Sequence, residues 1–245
     1  MDGNIKVIKY DCVGSTNTEA KEYAIRSDRR EPVLFIADEQ SAGRGRLGRN
    51  FLSRRGRGIY MSLLYFTDES LSDAISITGA AAVVVARAIE DITGNPMKIK
   101  WVNDIYNSRG KVAGILTESL SLGKRSAIIV GVGINVGNID FPEELRGIAS
   151  SIGEVSEEQK NNVIFGIARG LLLHAKKCTD RGFIDEYRRR SMLDGEFVEL
   201  FSAGQRVGGG RVMGISDDGG LIILPDGKNE TVVIRTGEVS VRKRS

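Results

Sequence analysis

The chain has 245 residues, 41% of them hydrophobic and 27% charged, which is an ordinary globular composition with length for one sizeable core and a small appended unit. Lysine and arginine number 35 and aspartate and glutamate 32, a net charge of +3 that is too mild to mark a nucleic-acid binder by charge alone. Two cysteines, Cys12 and Cys178, lie far apart outside any CxxC pattern, and there is one histidine, His174, so a disulfide framework, a cysteine zinc site and multi-histidine chemistry are excluded. His174, in LLLHAKK, reads as part of a helix face. The N-terminal MDGNIKVIKYD carries no apolar signal region. The most apolar stretch, Ile77 to Ile92, is interrupted by Arg87 and Glu90 and is too short to span a bilayer. The expectation is a soluble, cytoplasmic protein without membrane contact.

Ile5 to Tyr10 alternates apolar and polar and predicts a strand. Ser15 with Thr18, or Thr16 with Glu19, fits a capping box, and Ala20 to Ile25 continues that helix. Val33 to Ala37 is a run of strand length. Gln40 to Gly58 reads as a loop, with five glycines and six arginines, and Ile59 to Phe66 as a strand again. Leu71 to Ile92 predicts a long helix ended by Gly94 and Pro96. Lys98 to Trp101 predicts a short strand, and Asn103-Asp104 a polar turn. Ile105-Tyr106 and Val112 to Ser119 flank a tight turn at Ser108-Arg109-Gly110, as in a hairpin. Ala127 to Val136 predicts a buried strand whose glycines let something approach the backbone. Asn161 to Thr179 and Phe183 to Arg189 have a helical period. After Leu193 the texture changes to about five short strands, separated by Gly204, the cluster Asp217 to Gly220, and Asp226-Gly227. That pattern predicts a small β-barrel or curled sheet and a boundary near Ser191. The larger part predicts an α+β (α/β) domain on a mixed, mostly antiparallel sheet flanked by helices.

Four segments could carry chemistry. In Gly43-Arg44-Gly45-Arg46-Leu47-Gly48-Arg49, glycine frees backbone N–H groups and arginine offers a planar donor fork for carboxylate or phosphate. The competing readings are a solvated loop or an RGG-like RNA segment. Lys100-Trp101-Val102-Asn103-Asp104 puts a cation, an aromatic and polar carbonyl groups at a strand end, although a core tryptophan followed by a turn explains it equally. Lys111 opens the apolar run Lys111 to Leu116, where a point charge could neutralise a developing negative charge, or simply protect an edge strand. Gly131-Val132-Gly133-Ile134-Asn135 lacks the third glycine of a dinucleotide motif and opens no helix, so a Rossmann site is excluded.

Taken in order, Ser15-Thr16-Asn17, Gln40 with Ala42 to Arg49, Lys100 to Asp104, Lys111 to Leu116 and Gly131 to Asn135 resemble the STN, Q-x-AGRGRxGR, KWxND, KxxGIL and GxGIN motifs of biotin–protein ligases. The resemblance covers roughly residues 5 to 190. It implies a class II synthetase or biotin–lipoate ligase-like catalytic domain over residues 1–190, and an SH3-like C-terminal domain over residues 191–245. Two positions depart from the family pattern: Val102 where proline is usual, and Phe51 where tryptophan is usual. Val102 lacks a rigid backbone constraint but removes no functional group, and Phe51 keeps an aromatic face.

The resemblance implies that ATP activates biotin to biotinyl-5′-AMP, and that the acyl group passes to a lysine of a biotin carboxyl carrier protein. It implies catalytic roles for Lys111, Arg46 and Asp104. Biotin would lie against Ser15, Thr16, Asn17, Gln40, Arg44, Gly45, Arg46, Lys111, Gly114 and Ile115. The adenylate would lie against Arg44, Arg46, Arg49, Trp101, Asn103, Lys111 and Asn135. Mg²⁺ would arrive on ATP, near Asp104, with no certain protein side-chain ligand. A homodimer joined through sheet edges is implied, and no sequence-specific DNA binding is expected, since the chain starts directly on the catalytic strand. Lipoate–protein ligase, with the same adenylation logic, is the nearest alternative, and a noncatalytic RNA-binding module is the alternative from another class.

Overall fold

Short runs of β-branched and aromatic residues pair into two sheets in the computed structural model, which describes residues 5–67, 74–123, 125–175, 182–235 and 239–244. The larger sheet takes β1 (Lys6–Tyr10), β2 (Val33–Ala37), β3 (Gly58–Thr67), β4 (Lys98–Lys100), β5 (Asp104–Asn107), β6 (Gly110–Leu122) and β7 (Arg125–Asn135), in the order β1-β2-β3-β7-β6-β5-β4. β1 and β2 run parallel and the other neighbours antiparallel, which is the mixed, mostly antiparallel sheet expected.

Helices cover both faces. Phe35, Leu64, Ala127 and Ile129 meet Ala20 and Ala24 of α1 (Thr16–Arg26) on one side. Leu34, Leu63, Ile128 and Val130 cluster on the other with Val85 and Ile89 of α2 (Ala74–Thr93) and Ile167 of α3 (Glu157–Ala175). Successive residues of β7 therefore serve opposite layers, as the two-residue period of a strand buried on both faces requires. Gly94 closes α2 at φ 66°, its N–H donating to Glu90 O. Among the described residues no helix is long and apolar enough to cross a membrane.

The second sheet comprises β8 (Phe197–Ser202), β9 (Gln205–Ile215), β10 (Leu221–Pro225), β11 (Val232–Ile234) and β12 (Val239–Lys243), all antiparallel, in the order β11-β10-β9-β8-β12. Val198, Val212, Leu221, Ile223 and Val241 belong to the same buried cluster as α2 and α3. The Trp101 indole N–H donates to Gly219 O at 3.0 Å, tying the sheets together.

Three local expectations change. The capping box at Ser15 does not form, because Ser15 makes no side-chain cap hydrogen bond; the Thr16 and Asn17 side chains turn into the protein, where buried polar groups find partners. A capping box forms at α3 instead: Ser156 N–H donates to Gln159 Oε1 at 2.8 Å and Gln159 N–H to Ser156 Oγ at 3.1 Å, so the helix begins at Glu157 rather than Asn161. The strand expected from Lys98 to Trp101 ends at Lys100, followed by a turn with a cis Trp101–Val102 peptide. Leu71, Thr179 and Cys178 lie outside the described residues. Cys12 is exposed, and His174 packs edge-to-face on Phe183, with ring centroids 5.3 Å apart.

α4 (Ile184–Arg190) is bound to α2 by charge. Arg190 donates to both Glu90 oxygens at 2.5 and 2.7 Å and to Glu186 Oε1 at 2.9 Å, and Arg87 Nε donates to Glu186 Oε1 at 2.9 Å. The hydrogen bond from Arg190 holds the Glu90 carboxyl below its ordinary value, and that from Arg87 does the same for Glu186. The stability these carboxylates contribute is therefore present above pH 4.5, their ordinary value, and is lost as pH falls below it. Arg190→Met should cost about 2–3 kcal/mol at pH 7 by urea denaturation, because it takes the cation from Glu90 and one of two from the buried Glu186. The loss should shrink at pH 3.5; a pH-independent loss would show that the charges are not responsible.

Candidate active site

The face of the larger sheet on which α1 packs forms, beyond the first turn of that helix, the floor of a cleft of about 740 Å³, within the range of small-molecule sites, roughly 300–1,000 Å³. Two residues seat themselves on that floor. A β-carbon at Gly131 would lie 2.0 Å from Asn17 Oδ1, and one at Gly133 would lie 2.5 Å from the Phe51 ring. The glycines of β7 thus make room for the protein's own Asn17 and Phe51. Gly131 is paired with Ser62 of β3 and Leu116 of β6, and Asn17 reaches both: Ser62 Oγ donates to Asn17 Oδ1 at 2.6 Å, and Asn17 Nδ2 donates to Leu116 O at 3.2 Å and to Glu118 Oε2 at 2.8 Å.

This end of the cleft is polar. Gln40 Oε1 accepts the Thr16 N–H at 2.9 Å while Gln40 Nε2 donates to Ser53 Oγ at 2.9 Å. Ser15, Thr16 and Asn17 are all buried at the start of α1.

The middle is cationic. β6 carries a bulge against β5: Ile105 pairs with Ala113, but Tyr106 pairs with Lys111. The extra residue, Val112, shifts the side-chain parity and turns Lys111 onto the cleft face beside Gly114, where a β-carbon would stand 3.3 Å from Lys111 Nζ. Lys111 Nζ pairs with Asp104 Oδ1 at 2.7 Å. The loop from Gly43 to Arg49 folds over this point, closed by Gly45 N–H to Arg49 O at 2.7 Å, with Leu47 at φ 58° and Gly48 at φ 72° making its tip. Arg46 Nη1 donates to Asn103 Oδ1 at 2.6 Å, and Asn103 Nδ2 donates to Ile115 O at 2.8 Å. Burial pulls the Arg46 and Lys100 charges below their ordinary values, with Asp104 opposing in both cases. Burial, with Asp104 adding to it, pushes Tyr106 up to about 12. Among the described residues no three His, Cys, Asp or Glu side chains gather to hold a metal ion.

The far end is more apolar. Segment 148–150 lies along Lys111, with Lys111 N–H donating to Ile148 O and Ser150 N–H to Lys111 O, both at 2.8 Å. It brings Phe141, Leu145 and Ile148 to the wall. Asn135 Nδ2 donates to Ser150 O at 2.8 Å.

Every site residue expected from the sequence lines this one cleft: Ser15, Thr16, Asn17, Gln40, Arg44, Gly45, Arg46, Arg49, Trp101, Asn103, Asp104, Lys111, Gly114, Ile115 and Asn135. Sequence reasoning missed Ser62, Glu118 and the wall that β12 lends at Val239 to Arg242. Ser62 had a signal, a lone polar residue inside the apolar run of β3. The β12 wall had none, since it arises from packing between the two sheets.

A mixed sheet with an arginine loop closed over a cationic cleft defines a class of ligand-binding α+β protein. The chain belongs to the biotin/lipoate A/B protein ligase family, whose sequence profile matches residues 10–135, just over half of the chain. It is 36% identical over 182 residues to the bifunctional ligase/repressor BirA of Bacillus subtilis, covering 73% of this chain and 54% of that protein. It is 29% identical over 238 residues to the biotin–[acetyl-CoA-carboxylase] ligase of Mycobacterium tuberculosis, covering 92% and 85%. The chain spans about half the length of the first of these relatives. The solved biotin protein ligase from Aquifex aeolicus, in complex with biotin and ATP, superposes with a TM-score of 0.81 at 30% identity, covering 98% of this chain and 99% of that one.

Gly131→Ala should destabilise the protein by about 1–3 kcal/mol, by forcing Asn17 off the floor. In an Asn17→Ala background the same substitution should cost at least about 1 kcal/mol less. A double-mutant cycle in urea measures this coupling, and additive costs would refute the contact as the reason for the glycine.

Proposed function

We propose that the chain is an ATP-dependent biotin–protein ligase, and the observation that carries this reading is the continuity of the cleft. A polar end at Ser15, Thr16, Asn17 and Gln40 opens into a cationic centre at Arg46 and Lys111 and then into an apolar end beside Asn135. Biotin fits the first two parts, its cyclic urea at the polar end and its carboxylate, at the end of an alkyl tail, at the cationic centre where it must meet a nucleotide phosphate, and the apolar end is left for the adenine ring. The lipoate dithiolane ring has neither N–H nor carbonyl for the polar end, which favours biotin.

In the first half-reaction the biotin carboxylate attacks the α-phosphorus of ATP, pyrophosphate leaves, and biotinyl-5′-AMP forms. Two anions approach, so fixed positive charge lowers the barrier. Lys111 takes the carboxyl and α-phosphate oxygens, and Arg46, Arg44 and Arg49 clamp the phosphates. Mg²⁺ bound to the triphosphate would add positive charge, near Asp104. In the second half-reaction a lysine amine of a biotin carboxyl carrier protein attacks the acyl carbon, AMP leaves, and an amide forms. When Lys111 turns to the substrate oxygens, Asp104 is released to orient the incoming amine. The loop from Gly43 to Gly48 keeps water from the mixed anhydride. Gly45 lets the loop backbone approach biotin, and Gly114 and Ile115 line its tail. Trp101, Asn103 and Asn135 flank the adenylate.

The same reading divides the chain near Ser191 into a catalytic part, residues 1–190, and an SH3-like part, residues 191–245. It gives a biotin-dependent carboxylase as the source of the acceptor, the cytoplasm, with its ATP, as the compartment, and a homodimer through the sheet edges. No sequence-specific DNA partner belongs to it.

ATP- and biotin-dependent labelling of a biotin carboxyl carrier domain tests the activity. Wild type should label it, and Lys111→Ala should lose at least about a hundredfold in biotinyl-5′-AMP formation. An unchanged rate would remove Lys111 from the chemistry. In calorimetry, binding of lipoate without biotin would overturn the substrate.

A further inference from the structure

Glu118 belongs to none of the motifs, yet its carboxylate sits beneath the polar end of the cleft with a side chain only 17% exposed. It accepts from Asn17 Nδ2 at 2.8 Å and from Lys21 Nζ at 2.5 Å, and Arg44 Nη1 lies 3.9 Å away. A carboxylate beside an anion-binding cleft opposes the ligand unless it is neutralised, and Lys21 neutralises this one.

The chain of bonds that starts at Glu118 has a fixed direction. Glu118 and Leu116 O are both acceptors, so the Asn17 amide must present Nδ2 to them and Oδ1 to Ser62. Oδ1 can only accept, so the single Ser62 hydroxyl proton is committed to it. Ser62 Oγ and Thr16 Oγ1 lie 2.7 Å apart, a separation that needs a proton between them, and only Thr16 can supply it. Gln40 Oε1, at 3.2 Å from Thr16 Oγ1, could accept that proton as well as the Thr16 N–H it holds at 2.9 Å, but the shorter contact to Ser62, which has no proton of its own left to give, takes it. Thr16 therefore spends its proton inward, and its lone pairs are left for a ligand.

We propose that Glu118 is a positioning residue that sets the hydrogen-bond polarity of this end of the cleft, acting through Asn17 and Ser62 so that Thr16 Oγ1 meets the ligand as an acceptor and selects a ring N–H. The inference rests on biotin as the ligand, whose cyclic urea offers such N–H groups. Without an acceptor at position 118 the Asn17 amide keeps only the longer bond to Leu116 O and turns more freely, and Thr16 loses its fixed sense.

Calorimetry with biotin, in the absence of ATP, tests it on the full chain. Glu118→Ala should weaken biotin binding on the order of tenfold. Glu118→Gln should bind within about threefold of wild type, because its amide oxygen still accepts from Asn17. Glu118→Met keeps the side-chain length without the acceptor and gives the same reading as alanine should that variant fail to fold. Glutamine as damaging as alanine would show that charge, not polarity, matters, and would overturn the proposal. Biotin binding unaffected in the alanine or methionine variant would overturn it too. A wild type that binds no biotin would instead overturn the ligase reading on which it rests.

Discussion

Asn17 and Phe51 rest directly on the backbone of β7, and both contacts require that positions 131 and 133 carry no β-carbon. The rest of the site follows from this seating. Once Asn17 stands on Gly131, it spans three strands at once, bonded to Ser62 of β3 on one side and to Leu116 and Glu118 of β6 on the other. The start of α1 is thereby pinned to the sheet by side chains rather than by a helix cap. Phe51 does the same for the arginine loop, placing its ring over Gly133 and Gly114 and edge-on to Tyr60, with ring centroids 6.5 Å apart. The strand whose glycines predict a close approach to its backbone is thus a docking rail for two other segments of the same chain.

Gathering cations in a half-buried cleft is costly unless each has a counter-charge or an acceptor. Asp104 answers Lys111, Asn103 answers Arg46, and Glu118 answers Lys21 with Arg44 nearby. The fold gains its stability elsewhere, in the core beneath the sheet and in the Glu90–Arg190–Glu186–Arg87 network between α2 and α4. The cleft is therefore a place where charge is balanced, with Lys111 held by a single carboxylate oxygen of Asp104 at 2.7 Å.

Much of this was legible in the sequence because its causes are local. The alternation of Ile5 to Tyr10, the apolar runs that become β3 and β7, the turn at Ser108 to Gly110 and the glycine-punctuated strands after Leu193 all signal themselves. The five motifs brought every expected site residue into one cleft, since motif order reflects the order in which strands deliver residues to a shared face. What was hidden depends on pairing. The bulge at Val112 cannot be seen in the run from Lys111 to Leu116, yet it alone puts Lys111 on the cleft face. The capping-box pattern occurs at both Ser15 and Ser156, and only tertiary partners decide that the first is spent on the site while the second caps α3. Glu118 looked like one polar position of a strand, and its meaning needs Asn17, which lies 101 residues away in sequence.

The second sheet is part of the same logic. Arg46 reaches Asn103 at 2.6 Å in the turn after β4, and Val239 O of β12 at 3.5 Å. Trp101, two residues before Asn103, donates its indole N–H to Gly219 at the turn between β9 and β10. One guanidinium thus senses the loop that carries it, the turn that orients it and the sheet that walls the cleft. Because Val198, Val212 and Val241 pack into the common core, the position of β12 is fixed by apolar burial and not by the cleft. The arginine loop has the opposite construction: it is closed by its own backbone bonds and meets the rest of the protein mainly through Phe51 and Arg46. A wall fixed by core packing thus faces a loop held over the cleft by its own backbone bonds, and the two sides of the cleft rest on independent parts of the fold.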